Sequence, residues 1–341
     1  MIGDLVTRPV IIAPMAGGIG TPELVTAAAA AGATGFLPAG YKTAQAIRAD
    51  IDAVRAVTNA PFGVNVFVPG APAADAEAVS RYLDSLTEDA ASLSVASGPA
   101  TWDDDDWQAK IADLTSRPVP IVSFTFGCPE PGIIAALRAA GTSVWVTVTD
   151  EHEAAIAVRS GADCLCVQGS EAGAHRGTFA NRPGSDAGVL DLVAAVRAVT
   201  DVPLIAAGGI MTDEAVAEAI AAGAAAVQCG TAFLRCPESG ANPAHKASLA
   251  DPAFQTTSVT RAFSGRPARG LANAFMRRHE DAPAAYPEVN NATRPIRSAA
   301  AAAGDADRMS LWAGTGYWAA TTHPAGEIIE MLSRSAAARS S

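Results

Sequence analysis

Short apolar runs alternate along most of the chain with longer segments in which apolar residues recur at helical spacing. The runs at 10–13, 35–38, 62–67, 120–126, 143–148, 164–168, 203–207 and 225–229 have the length and unbroken apolar character of strands buried on both faces. The segments at 22–31, 131–140, 151–160, 189–199 and 213–222 read as helices, and Gly32, Gly141, Gly161 and Gly223 stand at the ends of four of them, where a left-handed terminal residue is commonly glycine. Thr149-Asp150 and Thr212-Asp213 place capping oxygens in front of two helices. Strand and helix units in this alternation predict a parallel sheet, and eight of them favour a closed (β/α)8 TIM barrel over an open doubly wound sheet.

Two stretches exceed a minimal barrel. Residues 1–236 are expected to form the barrel core, with an insertion around 69–117; residues 237–331 are expected to form a helical segment covering the barrel rim. The last ten residues, 332–341, rich in Ser and Ala, read as a flexible tail. Within the insertion, the run Asp103 to Asp106 suits a solvated turn or cap, and four adjacent carboxylates also suit weak cation binding. The second stretch carries Arg261, Arg266, Arg269, Arg277, Arg278 and His279.

Composition narrows the partners. With 341 residues, 49% of them apolar and only 17% charged, the chain can bury a large core. Its net charge of -11 argues against nucleic acid, whose phosphates require clustered Lys and Arg. No apolar run approaches the roughly 18 residues of a membrane span, and Met1-Ile2-Gly3-Asp4 lacks the basic start and apolar core of a signal peptide. No membrane association and a cytoplasmic location are therefore expected. Cys164, Cys166 and Cys229 fall inside the strand-like runs without histidines at ligand spacing. They read as small buried residues, and no metal site is expected. Cys164 and Cys166 share one strand face, where a disulfide would be strained. Cys128 and Cys236 precede prolines near strand ends and are possible pocket residues.

The chemistry-bearing residues gather at the carboxyl ends of the runs. After 164–168 comes Gln168-Gly169-Ser170-Glu171-Ala172-Gly173-Ala174-His175-Arg176-Gly177, a glycine-rich loop at a barrel position favoured by catalytic groups. His175 is its candidate for chemistry; a loop histidine held for structure fits the same residues. Ala206-Ala207-Gly208-Gly209-Ile210 and Gln228-Cys229-Gly230-Thr231-Ala232-Phe233 end the seventh and eighth runs, where barrels often seat a phosphate against backbone N–H groups. Across the rim lie Ala13-Pro14-Met15-Ala16-Gly17-Gly18 and Gly63-Val64-Asn65-Val66-Phe67. Asn65 and Gln168 are amides set in apolar strands and need hydrogen-bond partners, from a structural network or from a heteroaromatic ring. A phosphate grip facing amides describes a flavin mononucleotide (FMN) site. No Gly-x-Gly-x-x-Gly fingerprint points to a dinucleotide.

In this order the motifs resemble those of nitronate monooxygenase, formerly 2-nitropropane dioxygenase, a family of FMN-dependent barrel enzymes. Leu311-Trp312-Ala313-Gly314-Thr315-Gly316-Tyr317 is similar to the family's closing Ala-Gly motif. The resemblance implies that Ala13, Pro14, Met15, Asn65 and Gln168 contact the flavin ring, with Gly173 and Ala174 near it. It also implies that Gly208, Gly209, Gln228, Cys229, Gly230 and Thr231 hold the ribityl phosphate, and that His175 is catalytic. Ala174 stands where glycine is usual, a change that a negative φ would accommodate. Thr315 stands where glutamine is frequent, which bears on the substrate pocket. Tyr317 either reaches the substrate or belongs to the core.

The implied reaction is oxidation of alkyl nitronates by molecular oxygen to a carbonyl compound and nitrite. His175 would serve as base or as nitronate-stabilising group, roles open to an imidazole titrating near neutrality. Nitronate and oxygen are the expected partners, and the assembly a monomer or homodimer. The alternative on the same barrel is an FMN-dependent NAD(P)H:quinone or enoyl-acyl carrier protein reductase. An IMP-dehydrogenase-like barrel is disfavoured, because the loop after the sixth strand holds His175 and no cysteine.

Overall fold

The strands of the barrel are β1 (Val10–Ile12), β2 (Thr34–Pro38), β3 (Gly63–Phe67), β4 (Ile121–Thr125), β5 (Ser143–Val148), β6 (Cys164–Gln168), β8 (Leu204–Ala207) and β9 (Ala226–Cys229); β7 (Ala174–His175) lies outside it. This is a computed structural model, and it describes residues 2–338. The barrel closes through parallel pairing of β9 with β1, where Gln228 stands opposite Ile11. Every run expected to be a strand is one. The barrel is closed near the amino ends of the strands by Ile11, Phe36, Ile121, Trp145, Cys164, Ile205 and Ala226, with Ile2, Leu5 and Val6 packed beneath. The opposite, carboxyl end is thus the one left for ligands.

Local signals set the helices around this sheet. Thr21 caps the helix Pro22–Ala30 by accepting from Leu24 N, and Pro22 occupies its first turn, where its missing N–H costs nothing. Asp150 accepts from Glu153 N ahead of the helix Glu151–Ser160, which Gly161 ends at φ 99°. Thr212 does the same for Asp213–Ala221. Loss of one such cap costs about 1 kcal/mol.

Three boundaries differ from expectation. The stretch at 69–117 is not wholly an insertion, because its last helix, Trp107–Ser116, is the one between β3 and β4 and packs on the neighbouring helices Ala44–Val57 and Pro131–Ala139. The barrel is also incomplete at 236. Its eighth helix is Ala325–Ala338, packed against Pro22–Ala30 and Asp213–Ala221. The expected tail from 332 therefore begins inside an element, with Leu332 and Ser333 buried. Ala325, Ile328, Ile329 and Leu332 form one apolar stripe, while Glu327, Glu330 and Arg334 are exposed, the amphipathic pattern of a helix docked by one face.

The stretch between β9 and that last helix is helical only in part. It holds Pro243–Ser248, Ala274–Arg278 and Glu288–Ala303, and also the strands β10 (Thr257–Thr260) and β11 (Ala268–Leu271). These two pair antiparallel, and β11 then pairs with β7, placing Ala268 opposite His175. The long C-terminal insertion is thereby tied to the glycine-rich loop by backbone hydrogen bonds.

The aspartate run is a clamp. Asp105 accepts from Tyr41 N (2.8 Å), Asp106 accepts from Ala44 N (2.7 Å), and Asp105 pairs with the fully buried Lys110 at 2.8 Å. All five cysteines are free. Among the described residues, no helix is long and apolar enough to cross a membrane.

Candidate functional site

The carboxyl ends of the strands surround a cavity of about 580 Å³, a volume in the range of small-molecule sites. Ala13, Pro14 and Met15 line it after β1, Asn65 from β3, Gln168 from β6 and Gly173, Ala174 and His175 from the loop that follows. Gly208 and Gly209 line it after β8, and Gln228, Cys229, Gly230 and Thr231 at the end of β9. Loops far apart in sequence converge because successive parallel strands all end on the same rim.

One end of the cavity is built to receive an anion. Gly208 and Gly209 have φ of 124° and 69°, a backbone closed to most side chains. A Cβ at Gly208 would also lie 3.0 Å from Ala172 N. The N–H groups of these two glycines find no backbone acceptor among the described residues. Beside them, Gly230 opens the 3₁₀ turn Thr231–Phe233. The Thr231 hydroxyl accepts from Gly314 N at 3.0 Å, which leaves its own hydrogen to donate. Free amides, a turn N-terminus and a hydroxyl donor are what a phosphate requires. Thr315 is exposed, and a Cβ on Gly209 would meet its Oγ1 at 3.5 Å. Its departure from the usual glutamine is therefore felt beside Gly209.

The two amides are held differently. Gln168 is committed at both ends: Nε2 donates to His175 O (3.0 Å) and Oε1 accepts from Gly177 N (2.8 Å). It holds its own loop. Asn65 donates through Nδ2 to Ser123 Oγ (2.9 Å) and Thr125 Oγ1 (3.0 Å), while its Oδ1 accepts nothing among the described residues. Gln228 lies within β9, and its Oε1 accepts from Cys166 Sγ at 2.9 Å. Of the stretch expected on the phosphate, Gly230 and Thr231 are the pair beyond the strand end.

At the other end stands His175. Its Nε2 is 2.8 Å from Ser264 Oγ, and its ring lies between those of Phe126, Tyr286 and Trp312, with centroids 5.6, 5.7 and 5.6 Å away. Burial, and then the guanidinium groups of Arg266 and Arg297, push its pKa from 6.5 down to about 3. The expected titration near neutrality is thus overturned: the imidazole is neutral throughout the physiological range. Arg266 lies over the Phe126 ring at 4.0 Å and bonds the carbonyls of Arg176 and Thr178. Arg297 lines the cavity and is held by Asn290 and Thr293. No carboxylate pairs with either guanidinium among the described residues.

Ala174 also departs from expectation, since its φ is 61°. Pairing of β7 with β11 opposite Arg269 holds it in the left-handed region that glycine occupies freely. The closing motif packs directly on this loop: a Cβ at Gly173 would lie 2.6 Å from Gly314 N, and Thr315 N donates to Glu171 O. Tyr317 does not line the cavity. Its hydroxyl donates to Phe254 O at 2.7 Å, and its ring packs with Leu271, Met309 and Leu311, so it belongs to the core.

Sequence reading missed Ser264, Arg297, Phe126, Tyr286 and Trp312 as neighbours of the site. Trp312 lay inside the closing motif and Phe126 at the end of an apolar run, which were the available signals. Nothing local marked the other three.

Known proteins are similar to this chain along almost its whole length. The family described as nitronate monooxygenase matches residues 1–335. A protein of Bacillus subtilis (strain 168) named "Probable nitronate monooxygenase" is 36% identical over 315 residues, covering 91% of this chain and 90% of its own. The crystal structure of nitroalkane oxidase from Streptomyces ansochromogenes is 47% identical, with a TM-score of 0.96 over 99% of both chains. FabK from Thermotoga maritima is 27% identical, with a TM-score of 0.76 over 99% of this chain and 96% of its own.

Proposed function

The chain belongs to the nitronate monooxygenase family, and on that premise we propose that it binds FMN and oxidises alkyl nitronates with molecular oxygen to a carbonyl compound and nitrite. The observation that carries this reading is a single cavity with unpaired amides at one end and a neutral imidazole, walled by aromatic rings, at the other. These residues fit FMN. Gly208, Gly209, Gly230 and Thr231 would hold its phosphate, and Ala13, Pro14, Met15 and the free Oδ1 of Asn65 would meet its ring. Bound FMN would accept electrons from the substrate and pass them to oxygen.

His175 acts on the substrate that still carries its carbon-bound proton. A neutral imidazole is the form that accepts a proton. Removing that proton turns a neutral nitroalkane into its nitronate anion, and the guanidinium of Arg297 on the cavity wall, which no carboxylate neutralises among the described residues, stabilises the negative charge as it develops. A nitronate has already lost the proton and needs only the charge. Phe126, Tyr286 and Trp312 exclude water around the imidazole, which strengthens the attraction between Arg297 and the developing negative charge and keeps the resting ring neutral.

Purified protein reconstituted with FMN and supplied with a short nitronate tests the reading. Release of nitrite with consumption of oxygen is expected; FMN-loaded protein that releases none would overturn it. Replacement of His175 by Asn is expected to damage turnover of neutral nitroalkanes far more than of nitronates. Equal loss on both would remove the base assignment.

A further inference from the structure

Ser264 is 1% exposed and sits in a turn held by hydrogen bonds on both sides. Ser264 N and Gly265 N both donate to Arg261 O, Asn181 Nδ2 donates to Gly265 O, and Thr293 Oγ1 bonds Phe263 O. Its hydroxyl has three neighbours at hydrogen-bond distance: His175 Nε2 at 2.8 Å, Arg266 O at 3.2 Å and Arg266 N at 3.3 Å. The carbonyl can only accept and the amide can only donate. If the single Ser264 O–H points to Arg266 O, its oxygen accepts from both Arg266 N–H and His175 Nε2–H, and every group is satisfied. If it points to His175 instead, the Arg266 carbonyl, which no other donor reaches among the described residues, is left unpaired. A buried unpaired carbonyl is costly. The other ring nitrogen, Nδ1, has no partner among the described residues, and His175 lines the cavity.

We propose that Ser264 is a positioning residue that fixes His175 as the Nε2–H tautomer, so that Nδ1 is the nitrogen that takes the substrate proton. When the substrate C–H bond breaks, its electron pair stays on the nitroalkane as the nitronate, and the proton moves to Nδ1. The ring then carries a hydrogen on each nitrogen. Nε2–H keeps donating to Ser264, which keeps donating to the Arg266 carbonyl, so proton uptake breaks no existing hydrogen bond. The arrangement follows the general logic of a base oriented by a third group, with a serine and a backbone carbonyl in that place.

The kinetic arm of the test rests on the nitronate-oxidising reading above; the spectroscopic arm does not. FMN-loaded protein labelled with ¹⁵N-histidine reports the tautomer through long-range ¹H–¹⁵N couplings, with His175 identified by its loss in His175→Asn. Protonated Nε2 and unprotonated Nδ1 are expected in the unsubstituted protein. Ser264→Ala should shift the ring toward a mixture of tautomers, and Ser264→Thr should retain the original one. In kinetics, Ser264→Ala should lower the ratio of nitroalkane to nitronate turnover about ten-fold through kcat rather than KM, with recovery in Ser264→Thr. A protonated Nδ1 in the unsubstituted protein would overturn the proposal, as would an Ala variant with unchanged tautomer and unchanged ratio. If the Ala variant fails to fold, the tautomer of the unsubstituted and Thr proteins decides. An unsubstituted protein that turns over no nitronate would count against the functional reading, and the spectrum would still decide the tautomer.

Discussion

A histidine kept neutral in the native state should make the protein lose stability in mild acid. The pKa of His175 is about 3 in the folded chain, depressed first by burial and then by Arg266 and Arg297, against 6.5 ordinarily. Between those values the unfolded chain binds a proton that the native state refuses, so stability falls as pH drops through 6.5 and the loss levels off below about 3. At pH 8 neither state is protonated. At pH 5 the unfolded state lies about 1.5 units below its pKa, and at roughly 1.4 kcal/mol per unit the native state is about 2 kcal/mol less stable than at pH 8. Replacing His175 with Gln removes this term, while any packing change from the substitution acts equally at both pH values. His245, pushed down to about 4 by burial, has the same sign but is present in both proteins and cancels. Melting of the two proteins at pH 8 and pH 5, at matched flavin loading, reads the difference. The unsubstituted protein should lose about 4 °C more than the variant over that interval, at roughly 2 °C per kcal/mol for a chain of this size. An equal or smaller loss would show that His175 titrates normally, and the neutral-base argument would fall.

Three further outcomes follow from the same geometry. Ala174→Gly should relieve a left-handed alanine worth about 1–2 kcal/mol, offset by about 0.4–1 kcal/mol of added unfolded-state freedom; a Tm raised by up to about 3 °C is expected, and a lowered one would contradict the strain. Thr231→Val should weaken FMN binding about ten-fold or more, since a hydrogen bond to a charged phosphate contributes about 1.5–3 kcal/mol; an unchanged Kd from flavin fluorescence titration would move the phosphate elsewhere. Arg297→Met should raise the pKa of His175, though not to 6.5, because burial is the larger cause of its depression; an NMR titration in which it stays at the original value would assign the whole effect to burial and Arg266.

The barrel was readable from sequence because its signal is periodic and repeated. Eight short apolar runs and their glycine-stopped helices leave few other topologies, and the glycine pair at 208–209 and the single Gly230 beside Thr231 marked the rim. The closing helix Ala325–Ala338 was lost because a single stripe of Ile328, Ile329 and Leu332 is faint among alanines and serines. The hairpin β10–β11 was lost for a related reason: Ser258 and Val259 are exposed and the strands have four residues each, so neither hydrophobicity nor length announces them. That omission had consequences at the site. The pairing of β11 with β7 sets the positive φ of Ala174, and the turn before β11 brings Ser264 and Arg266 to His175. Arg297 arrives from the helix Glu288–Ala303. A histidine's proton affinity depends on such neighbours from distant segments, and no local motif encodes them. Tyr317 shows the converse, an aromatic in a recognisable motif whose place is the core.

The most direct measurement is anaerobic mixing of the FMN-loaded protein with propionate 3-nitronate in one syringe and with NADH or NADPH in another, followed by flavin absorbance. Nitronate oxidation predicts rapid bleaching by the nitronate and little by either nicotinamide, with recovery of the flavin spectrum and release of nitrite once oxygen is admitted. Bleaching by NADH or NADPH and none by the nitronate would contradict the account and assign the same cavity to a reductase.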